Sequence, residues 1–482
     1  MIIAKRKRIS LICLAFTFLI LFTIFINSST IVRIFSYSYL ASGSDISASE
    51  ILSNLVSWIE RYWDPIYGGY ARSETEEGII DFRKELQVQG YVARMYLKLY
   101  EITENKTYLQ KAENILKYIN VTFYDPLWGY YASLLTRDHR IISPNGVYSR
   151  YGSATYHENI LTLKVYLEYY ELTGNKSILG WVSFVFENLL KSFTDDIYGG
   201  IATIADIWVL GKSPFMQSLT ILLAYKLYLQ THKNVYLDII NETITVLRKM
   251  WDYGYHHFYY SDYSILNWNR FPIQNVGSSP LLAYAIYSVL FDNRYQEYIN
   301  VLEYQVLNTY WDYEYVGYPR AWSDDFDIII SRKYLFDHLY VAEDLYLYNT
   351  IRYGYNQTIG NRSQELLNIV FTWFYSETKG YFIRTVTREM EQLDKTLDIA
   401  SNAYATYIFL LDFDGDGILN INETEKLESK WFRSGKSGLE SIYEMIITYL
   451  PYIILAGAYI IVMVFIIKAS KQEKGPESKS YY

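Results

Sequence analysis

The strongest chemical motif in the sequence is a run of twelve residues that begins at Asp412. Asp at the first, third and fifth positions, Gly at the sixth and Glu at the twelfth have the spacing with which a loop surrounds one hard cation. Three Asp carboxylates converge on the ion. The backbone carbonyl of Ile418 and the side chain of Asn420 add ligands, and Glu423 completes the coordination. The motif predicts a structural calcium site formed by Asp412, Asp414, Asp416, Ile418, Asn420 and Glu423.

A second set of residues has the composition of a carbohydrate pocket, in which aromatic rings face the sugar and polar groups bind its hydroxyls. The predicted substrate-binding residues are Gln87, Tyr156, Trp268, Arg270, Asn275, Trp322 and Asn402. Hydrolysis of a glycosidic bond requires two carboxyl groups, for which the candidates are Glu158, Asp324, Asp325 and Asp337. Epimerisation of a sugar instead requires bases on either side of one carbon, for which the candidates are His157 and His338.

These polar residues are positioned by a repeated phrase: an aromatic residue, usually an Asp, and then a Gly that is usually followed by Tyr. Its six copies lie at 63–70, 124–130, 195–201, 251–255, 311–318 and 375–381. Between successive copies, apolar residues at helical spacing form two segments separated by a short turn. The predicted helices cover 47–62, 86–101, 108–119, 156–171, 178–190, 214–231, 235–250, 277–291, 294–308, 333–350, 362–374 and 396–411. Six phrases and twelve helices predict an all-α ring whose last helix packs against its first.

Two segments carry a resemblance to known proteins, the phrase at 64–70 and the helix–turn segment at 169–175. Through them, residues 47–411 resemble the six-hairpin (α/α)6 toroid superfamily, which includes N-acylglucosamine 2-epimerases, cellobiose 2-epimerases and six-hairpin glycosidases. The resemblance implies twelve helices with short β-hairpin loops around a central, often sugar-binding, cavity. It also implies that residues after each phrase and in the first turn of each inner helix line that cavity.

A departure from the epimerase pattern favours hydrolysis over epimerisation. Leu161 and Lys164 stand where the epimerase pattern carries His and Glu. Each candidate also has a structural alternative, because acidic residues cap helix N-termini and interact with the helix dipole. A non-catalytic glycan-binding or structural cell-envelope protein on the same scaffold is therefore the rival of a hydrolase, and a sugar epimerase is the third hypothesis.

The calcium motif follows the last predicted ring helix directly. It is similar to EF-hand loops and to the single calcium loops of dockerins, which implies a structural ion. Residues 412–440 are therefore predicted to form a calcium loop with an exit helix between the ring and the second apolar segment.

Two apolar segments predict membrane spans. Residues 9–27 follow the basic tail 1–8 and predict an uncleaved transmembrane anchor, with a cleaved signal peptide as the alternative. Residues 445–467 predict a second span before the Lys-containing tail 468–482. Because basic flanks lie on the cytoplasmic side, both tails are predicted to be cytoplasmic, and the linker 28–46, the ring and the calcium loop to lie outside a cell membrane.

The remaining composition supports an exterior protein. Of eight Asn-x-Ser/Thr sequons in the predicted exterior, those at Asn105, Asn175, Asn241 and Asn361 are predicted to carry N-glycans. Asn105, Asn175 and Asn361 are placed in turns opposite the Gly-aromatic loops. A net charge of -8 in 482 residues excludes nucleic acid as a partner, and a single cysteine excludes a disulfide framework.

Overall fold

A computed structural model describes most of the predicted ring. The described residues are 48–142, 154–195, 199–202, 212–253, 256–258, 260–264, 267–271, 277–322, 328–376, 378–389, 391–394 and 396–411. They contain twelve α-helices, which confirms the predicted number. The helices are α1 (Ala48–Glu60), α2 (Leu86–Thr103), α3 (Lys106–Thr122), α4 (Tyr156–Thr173), α5 (Lys176–Phe193), α6 (Pro214–Thr231), α7 (Asn234–Lys249), α8 (Ser278–Leu290), α9 (Gln296–Tyr304), α10 (Leu335–Tyr353), α11 (Gln357–Ile369) and α12 (Ile399–Phe409).

The even-numbered helices form an inner ring, and the odd-numbered helices surround it. Each inner helix packs against the next, from α2 to α12, and α12 packs against both α2 and α1. The sequence explains the two layers, because α6 buries every residue from 216 to 224, whereas α7 buries only Tyr236, Ile240, Thr243, Ile244 and Leu247. A helix that is apolar on all sides belongs inside, and one with a single apolar stripe belongs outside.

Short antiparallel strands connect the helices at one end of the ring, where the inner helices begin. They are β1 (Ser73–Glu74), β2 (Ile80–Asp81), β3 (Lys84–Glu85), β4 (Tyr124–Asp125), β5 (Tyr130–Tyr131), β6 (Leu134–Leu135), β7 (Trp251–Asp252), β8 (His257–Phe258), β9 (Tyr260–Ser264), β10 (Asn267–Phe271), β11 (Ala321–Trp322), β12 (Ile328–Ile330), β13 (Lys333–Tyr334), β14 (Tyr375–Ser376), β15 (Tyr381–Phe382), β16 (Thr385–Val386), β17 (Gln392–Asp394) and β18 (Leu397–Asp398). β1 pairs with β18, with Ser73 opposite Asp398, so strands as well as helices close the ring.

The repeated phrase forms a tight turn. In the first copy, the Asp64 carboxylate accepts hydrogen bonds from the backbone N–H groups of Ile66 and Tyr67. Gly69 has φ +71°, and a Cβ at that position would lie 2.4 Å from the Tyr118 ring, so only Gly fits. The phrase is therefore structural, with its Asp ordering the turn and its Gly permitting the close approach of an outer helix.

A polar side chain near the start of five inner helices binds the backbone of the last residue of the preceding phrase or of the residue just after it. Gln89 donates to the Tyr70 carbonyl and accepts from the Tyr70 N–H, and four other side chains bind backbone groups at the corresponding position. The five are Gln89, Asn159, Gln217, His338 and Asn402. We call these residues the backbone clamps.

Three buried lysines stand two residues before an inner helix and pair with the Asp of a phrase. Lys84 lies 3.2 Å from Asp64, Lys212 lies 2.5 Å from Asp195, and Lys333 lies 3.5 Å from Asp312. The Lys84 and Lys212 ammonium groups also donate to carbonyls of their phrases, at Gly69 and Gly199. Each Lys–Asp pair thus ties an inner helix to the loop before it.

The fifth phrase contains a strained residue. Val316 has φ +47°, a left-handed conformation that is costly for a β-branched side chain, and it occupies the position of the first Gly in other copies. We expect Val316→Asn to raise the unfolding free energy by about 1 kcal/mol, because Asn tolerates this conformation. Urea unfolding measures the change, with the exposed helical Val121 as the control for a Val→Asn replacement. Equal effects at both positions would show that Val316 is not strained.

The two predicted membrane spans and the calcium loop lie outside the described residues. No helix within the described ranges combines the length and apolar character needed to cross a membrane.

Several sequon asparagines have structural roles in the ring. Asn105, Asn175 and Asn356 are the N-caps of outer helices, and each side chain accepts a backbone N–H two residues later. The predicted turn position of Asn361 is wrong, because that residue lies inside α11, just as Asn241 lies inside α7.

Candidate functional site

A central cavity of about 740 Å³ opens at the end of the ring where the inner helices begin. Its volume lies within the range of about 300 to 1,000 Å³ that is typical of small-molecule sites. The wall carries Arg72, Asp81, Arg83, Glu85, His157, Arg320, Asp337, Arg384 and Asp398, and the aromatic lining includes Phe215, Phe258, Tyr334, Phe336 and Tyr340. The cavity therefore combines aromatic surface with carboxylates and guanidinium groups.

Two side chains in the first turn of α4 have buried polar atoms that lack a partner. His157 Nδ1 and Glu158 Oε2 make no hydrogen bond with any described residue. Glu158 is 6% exposed, and its other carboxylate oxygen lies 3.9 Å from His157 Nε2. An unsatisfied buried polar atom is costly, which makes both groups candidates for contact with a ligand.

The protonation of these groups follows from their burial. Burial lowers the pKa of His157 to about 4, so the ring is neutral at physiological pH. Burial, followed by the negative charge of Glu85, raises the pKa of Glu158 to about 8. At neutral pH the Glu158 carboxyl therefore holds its proton beside the cavity.

Glu85 is the electrostatic partner of Glu158 and has a different environment. It is the N-cap residue of α2, and Arg72 lies 3.1 Å from its carboxylate. Burial raises the pKa of Glu85, and Arg72 opposes that rise. A contact cation favours the ionised carboxylate in Glu85, whereas Glu158 has no such contact among the described residues. Two interacting carboxyl groups in unlike environments are the arrangement that divides acid and base roles.

Two other carboxylates on the wall, Asp337 and Asp81, are paired with arginines. Asp337 binds Arg320 through both carboxylate oxygens, at 2.5 and 2.7 Å. Asp81 binds Arg83 at 2.6 Å, and it also lies 3.9 Å from Arg72. Within the described ranges, Glu158, next to the cavity-lining His157, is thus the buried carboxyl group that keeps an unused oxygen.

An aromatic cluster forms the floor of the cavity. The Tyr340 ring lies 5.4 Å from Phe215, 5.7 Å from Phe336 and 5.3 Å from Tyr404. The Tyr91 ring stacks on Tyr404 with centroids 4.4 Å apart. Four inner helices, α2, α6, α10 and α12, supply these rings, so the floor spans the inside of the ring.

A buried ion network lies beneath the aromatic floor. Glu343 accepts hydrogen bonds from Arg94 at 2.7 Å, from Lys164 at 2.9 Å and from Tyr404 at 2.5 Å. Arg94 also binds Glu168 at 2.6 Å. Burial opposes the ionisation of Glu343, but Arg94 and Lys164 outweigh burial and hold its pKa well below the usual range. The network fills the axis of the ring with charge that is internally balanced.

Comparisons with solved structures give consistent results. The chain is similar to a cellobiose 2-epimerase from Spirochaeta thermophila, with TM-score 0.59 and 12% identity over 79% of this chain and 97% of that one. It is similar to a D-mannose isomerase, with TM-score 0.59 and 12% identity over 75% and 96% of the two chains. A third match is an inactive variant of an α-1,6-mannanase from a Salegentibacter species bound to α-1,6-mannotriose, with TM-score 0.55 and 12% identity over 75% and 98%.

The protein has the six-hairpin (α/α)6 toroid fold. No protein-family model matches the sequence, and the search of curated proteins gives no significant match. The likenesses are below 25% identity and therefore concern the fold. The expected toroid architecture is confirmed.

The toroid places some predicted site residues at the cavity and others in its framework. Gln87, His157 and Asp337 line the cavity, and Glu158 is the buried neighbour of His157 in α4, with a carboxylate oxygen 3.9 Å from the His157 ring. Tyr156 is fully buried and hydrogen bonds to Thr220 on α6, at 2.8 Å.

His338 and Asn402 are backbone clamps. In His338, Nε2 accepts from the Tyr318 N–H and Nδ1 hydrogen bonds to the Tyr334 carbonyl, which leaves no ring nitrogen for a substrate. Asn402 is completely buried and binds the Phe382 backbone. These contacts argue for structural roles, and His157 is the one histidine of the described residues that lines the cavity.

Several predicted residues cannot be placed from the described part of the toroid. Asn275, Asp324, Asp325 and all of the calcium ligands lie outside it, and for Trp268, Arg270 and Trp322 only the backbone is described, in β10 and β11. Within the described ranges, no three His, Cys, Asp or Glu side chains are grouped to hold a metal ion.

The toroid also brings to the cavity residues that the sequence motifs do not single out. Arg72, Phe215, Arg320, Phe336 and Tyr340 all line it. Phe336 and Tyr340 are four residues apart on α10 and therefore share one helix face. That spacing is a usable signal, although it equally describes a core-facing stripe.

The raised pKa of Glu158 predicts that the free energy of unfolding depends on pH. Because the folded pKa of about 8 exceeds the unfolded value, the protonated group stabilises the fold fully below about pH 4, and that contribution is lost as pH rises through 8. Gln at this position stays neutral at every pH. We therefore expect the unfolding free energy of Glu158→Gln, relative to that of the unmodified protein, to be higher at about pH 9 than at about pH 5 by a few kcal/mol. Urea unfolding at both pH values measures it.

The matched control is Glu171→Gln at the exposed end of the same helix. Its effect on unfolding should be the same at both pH values. A Glu158→Gln difference that does not change with pH would contradict the burial of a protonated carboxyl group.

Proposed function

We propose that the cavity of this toroid binds a carbohydrate and hydrolyses a glycosidic bond, with Glu158 as the proton donor and Glu85 as the second carboxylate. The observation that carries the proposal is the buried, unpartnered Oε2 of Glu158 beside His157, which lines the cavity together with the Arg72-bound carboxylate of Glu85. Glycoside hydrolysis requires such a pair, one carboxyl group protonated and the other ionised.

The chemistry of each residue follows from its surroundings. Glu158 would protonate the leaving oxygen of the glycosidic bond, since it holds a proton at neutral pH. Glu85, whose carboxylate is bound by the Arg72 guanidinium at 3.1 Å, would act in its ionised form and activate water or attack the anomeric carbon. His157, neutral and with a free Nδ1, would accept a hydrogen bond from a sugar hydroxyl and keep the ligand against Glu158.

The structural neighbours support a carbohydrate ligand. They include a cellobiose 2-epimerase, a D-mannose isomerase and a mannanase bound to mannotriose. Hydrolysis is favoured over epimerisation because one cavity histidine is found among the described residues, and Leu161 and Lys164 serve packing and the ion network.

Asp324 and Asp325 are the second candidates for the carboxyl pair. Arg320, just before them in the chain, lines the cavity. The inactive mannanase variant carries asparagine in place of two consecutive aspartates. The consecutive aspartates between β11 and β12 are therefore candidates for a parallel role, which the variant Asp324→Asn/Asp325→Asn tests.

The test is an assay of the protein with D-mannose, cellobiose, cellohexaose, α-1,6-mannotriose and α-1,6-mannohexaose, with products separated by chromatography. We expect cleavage of at least one oligosaccharide, abolished in Glu85→Gln/Glu158→Gln. Conversion of mannose or cellobiose to an isomer would instead support the epimerase. Binding by calorimetry without any product would support the non-catalytic glycan-binding protein.

We also propose that the toroid lies outside the cell membrane, held by spans at 9–27 and 445–467, with N-glycans at some of Asn105, Asn175, Asn241 and Asn361. The two apolar segments with basic flanks support this topology. Protease digestion of intact cells and mass spectrometry of the sequons test it. A toroid that is protected from external protease, or released by alkaline carbonate, would contradict the proposal.

A structural calcium ion at residues 412–423 is a further proposal, supported by the ligand spacing. For a weak exterior site with Kd of about 10⁻⁴ to 10⁻³ M, about 10 mM calcium should raise the unfolding free energy by about 1–3 kcal/mol. We expect Asp414→Ala to remove this gain and Asn422→Ala, at a non-ligand position, to retain it. No calorimetric heat and no change in melting temperature with calcium would refute the site.

A further inference from the structure

The hydroxyl group of Tyr340, on the cavity floor, has more donors than acceptors around it. Its oxygen accepts a hydrogen bond from the Tyr91 hydroxyl at 2.8 Å and another from the Gln87 amide at 3.3 Å. A phenol oxygen accepts two hydrogen bonds and donates one. Both acceptor positions are filled, and no described residue accepts the Tyr340 proton.

The unused donor faces the cavity. Tyr340 lines the cavity and is only partly buried, in the sixth position of α10. Burial raises the pKa of Tyr340 well above its usual value, so the hydroxyl keeps its proton at any physiological pH. Tyr340 therefore presents a fixed O–H donor to whatever occupies the floor.

The floor is closed beneath this donor. The Tyr91 and Tyr404 rings stack below Tyr340, and the network of Arg94, Lys164 and Glu343 fills the axis under them. Arg94 and Lys164 are each 3% exposed, so the ligand reaches the floor from the open end of the ring.

The carboxyl pair and the floor lie at different levels of the inner helices. Glu85 precedes the first residue of α2 and Glu158 is the third residue of α4, whereas Tyr340 is the sixth residue of α10. At a rise of about 1.5 Å per residue, a difference of three to six helical positions corresponds to about 4 to 9 Å along a helix axis. A sugar on the floor would therefore lie deeper in the ring than a bond held at the carboxyl pair.

We propose that the floor is a subsite for the terminal residue of a glycan chain, in which Phe336 and Phe215 contact the sugar face and Tyr340 donates to one of its oxygens. The protein then acts on chain ends, one residue at a time. The removal of chain ends rests on the proposed function, because it requires hydrolysis. The binding of a terminal sugar at the floor does not require it.

Binding tests the subsite directly. Calorimetry with methyl α-mannoside and methyl β-glucoside, and with their monodeoxy derivatives, is carried out on the unmodified protein and on Tyr340→Phe. We expect at least one glycoside to bind, one deoxy position to weaken its binding roughly tenfold, and Tyr340→Phe to weaken the parent glycoside to the same degree. In Tyr340→Phe, that deoxy derivative and its parent should bind equally.

This equality separates ligand contact from structure, because a merely loosened floor would weaken both ligands and keep their ratio. The control is Tyr225→Phe, which makes the same replacement on an inner helix away from the cavity lining and should leave every affinity unchanged. An unchanged ratio in Tyr340→Phe, or no binding of either glycoside, overturns the subsite.

Product analysis then separates this inference from the proposed function. With mannohexaose or cellohexaose, we expect a monosaccharide from the first time point. Internal fragments as first products would overturn the chain-end inference while leaving hydrolysis intact. Glycoside binding with the Tyr340 signature but no hydrolysis would overturn the proposed function and leave the subsite.

Discussion

Replacing Glu343 by Ala is expected to lower the free energy of unfolding by about 3–5 kcal/mol. The carboxylate is buried and neutralises Arg94 and Lys164, which lie 2.7 and 2.9 Å away. Removal leaves Lys164 as a buried cation without a contact anion among the described residues and takes the acceptor from Tyr404. Breaking a buried ion pair from one side is costly for this reason, even where the intact pair adds little net stability.

Urea unfolding of the purified protein measures this loss. The matched control is Asp292→Ala, which breaks the 2.7 Å pair with Arg294 on the exposed surface and should leave the unfolding midpoint unchanged. If Glu343→Ala and Asp292→Ala behave alike, water reaches the network, and the closed floor beneath Tyr340 would have to be abandoned.

The second large effect concerns the proposed reaction. Glu158→Gln is expected to lower kcat on the cleaved oligosaccharide by about 10²- to 10⁴-fold, the usual contribution of a general acid. Because the pKa of Glu158 is about 8, activity of the unmodified protein should fall as pH rises above 8, when the acid has lost its proton. The residual activity of Glu158→Gln should lack that alkaline limb.

Glu171→Gln serves as control in this assay too, since Glu171 lies at the far end of the same helix. Full activity in Glu158→Gln, combined with loss in Asp324→Asn/Asp325→Asn, would move the acid role to the segment after β11. Retention of the alkaline limb in Glu158→Gln would assign that limb to a different group.

The repeated phrase makes the architecture predictable. Its Asp and Gly order one local turn, so the Gly recurs in all six copies and the Asp in five of them. The helix 214–231 is predicted with the bounds it has, since Ser213 caps it and Pro214 begins it. The start of α11 is predicted at 362, five residues late, because Asn356 has the pattern of a glycosylation site, whereas its side chain caps the helix.

The candidate site is less predictable, because a clamp and a ligand-binding residue look alike in sequence. Asn402 and His338 are polar and lie near the start of inner helices, which is also where site residues are expected. Their partners are backbone groups at Phe382 and Tyr318, twenty residues earlier in each case. Tyr340 is the opposite case, a cavity residue that has the sequence pattern of a core residue. Only its hydrogen-bond partners in the folded ring reveal an unused donor.

The Lys–Asp pairs give the ring a lower symmetry than its helices do. Two residues before each inner helix, the chain carries Lys84, Ala154, Lys212, Val276, Lys333 and Leu397, a strict alternation of lysine with an apolar residue. The alternation gives the sixfold ring a threefold pattern, in which every second inner helix is tied to the loop before it by a buried Lys–Asp pair.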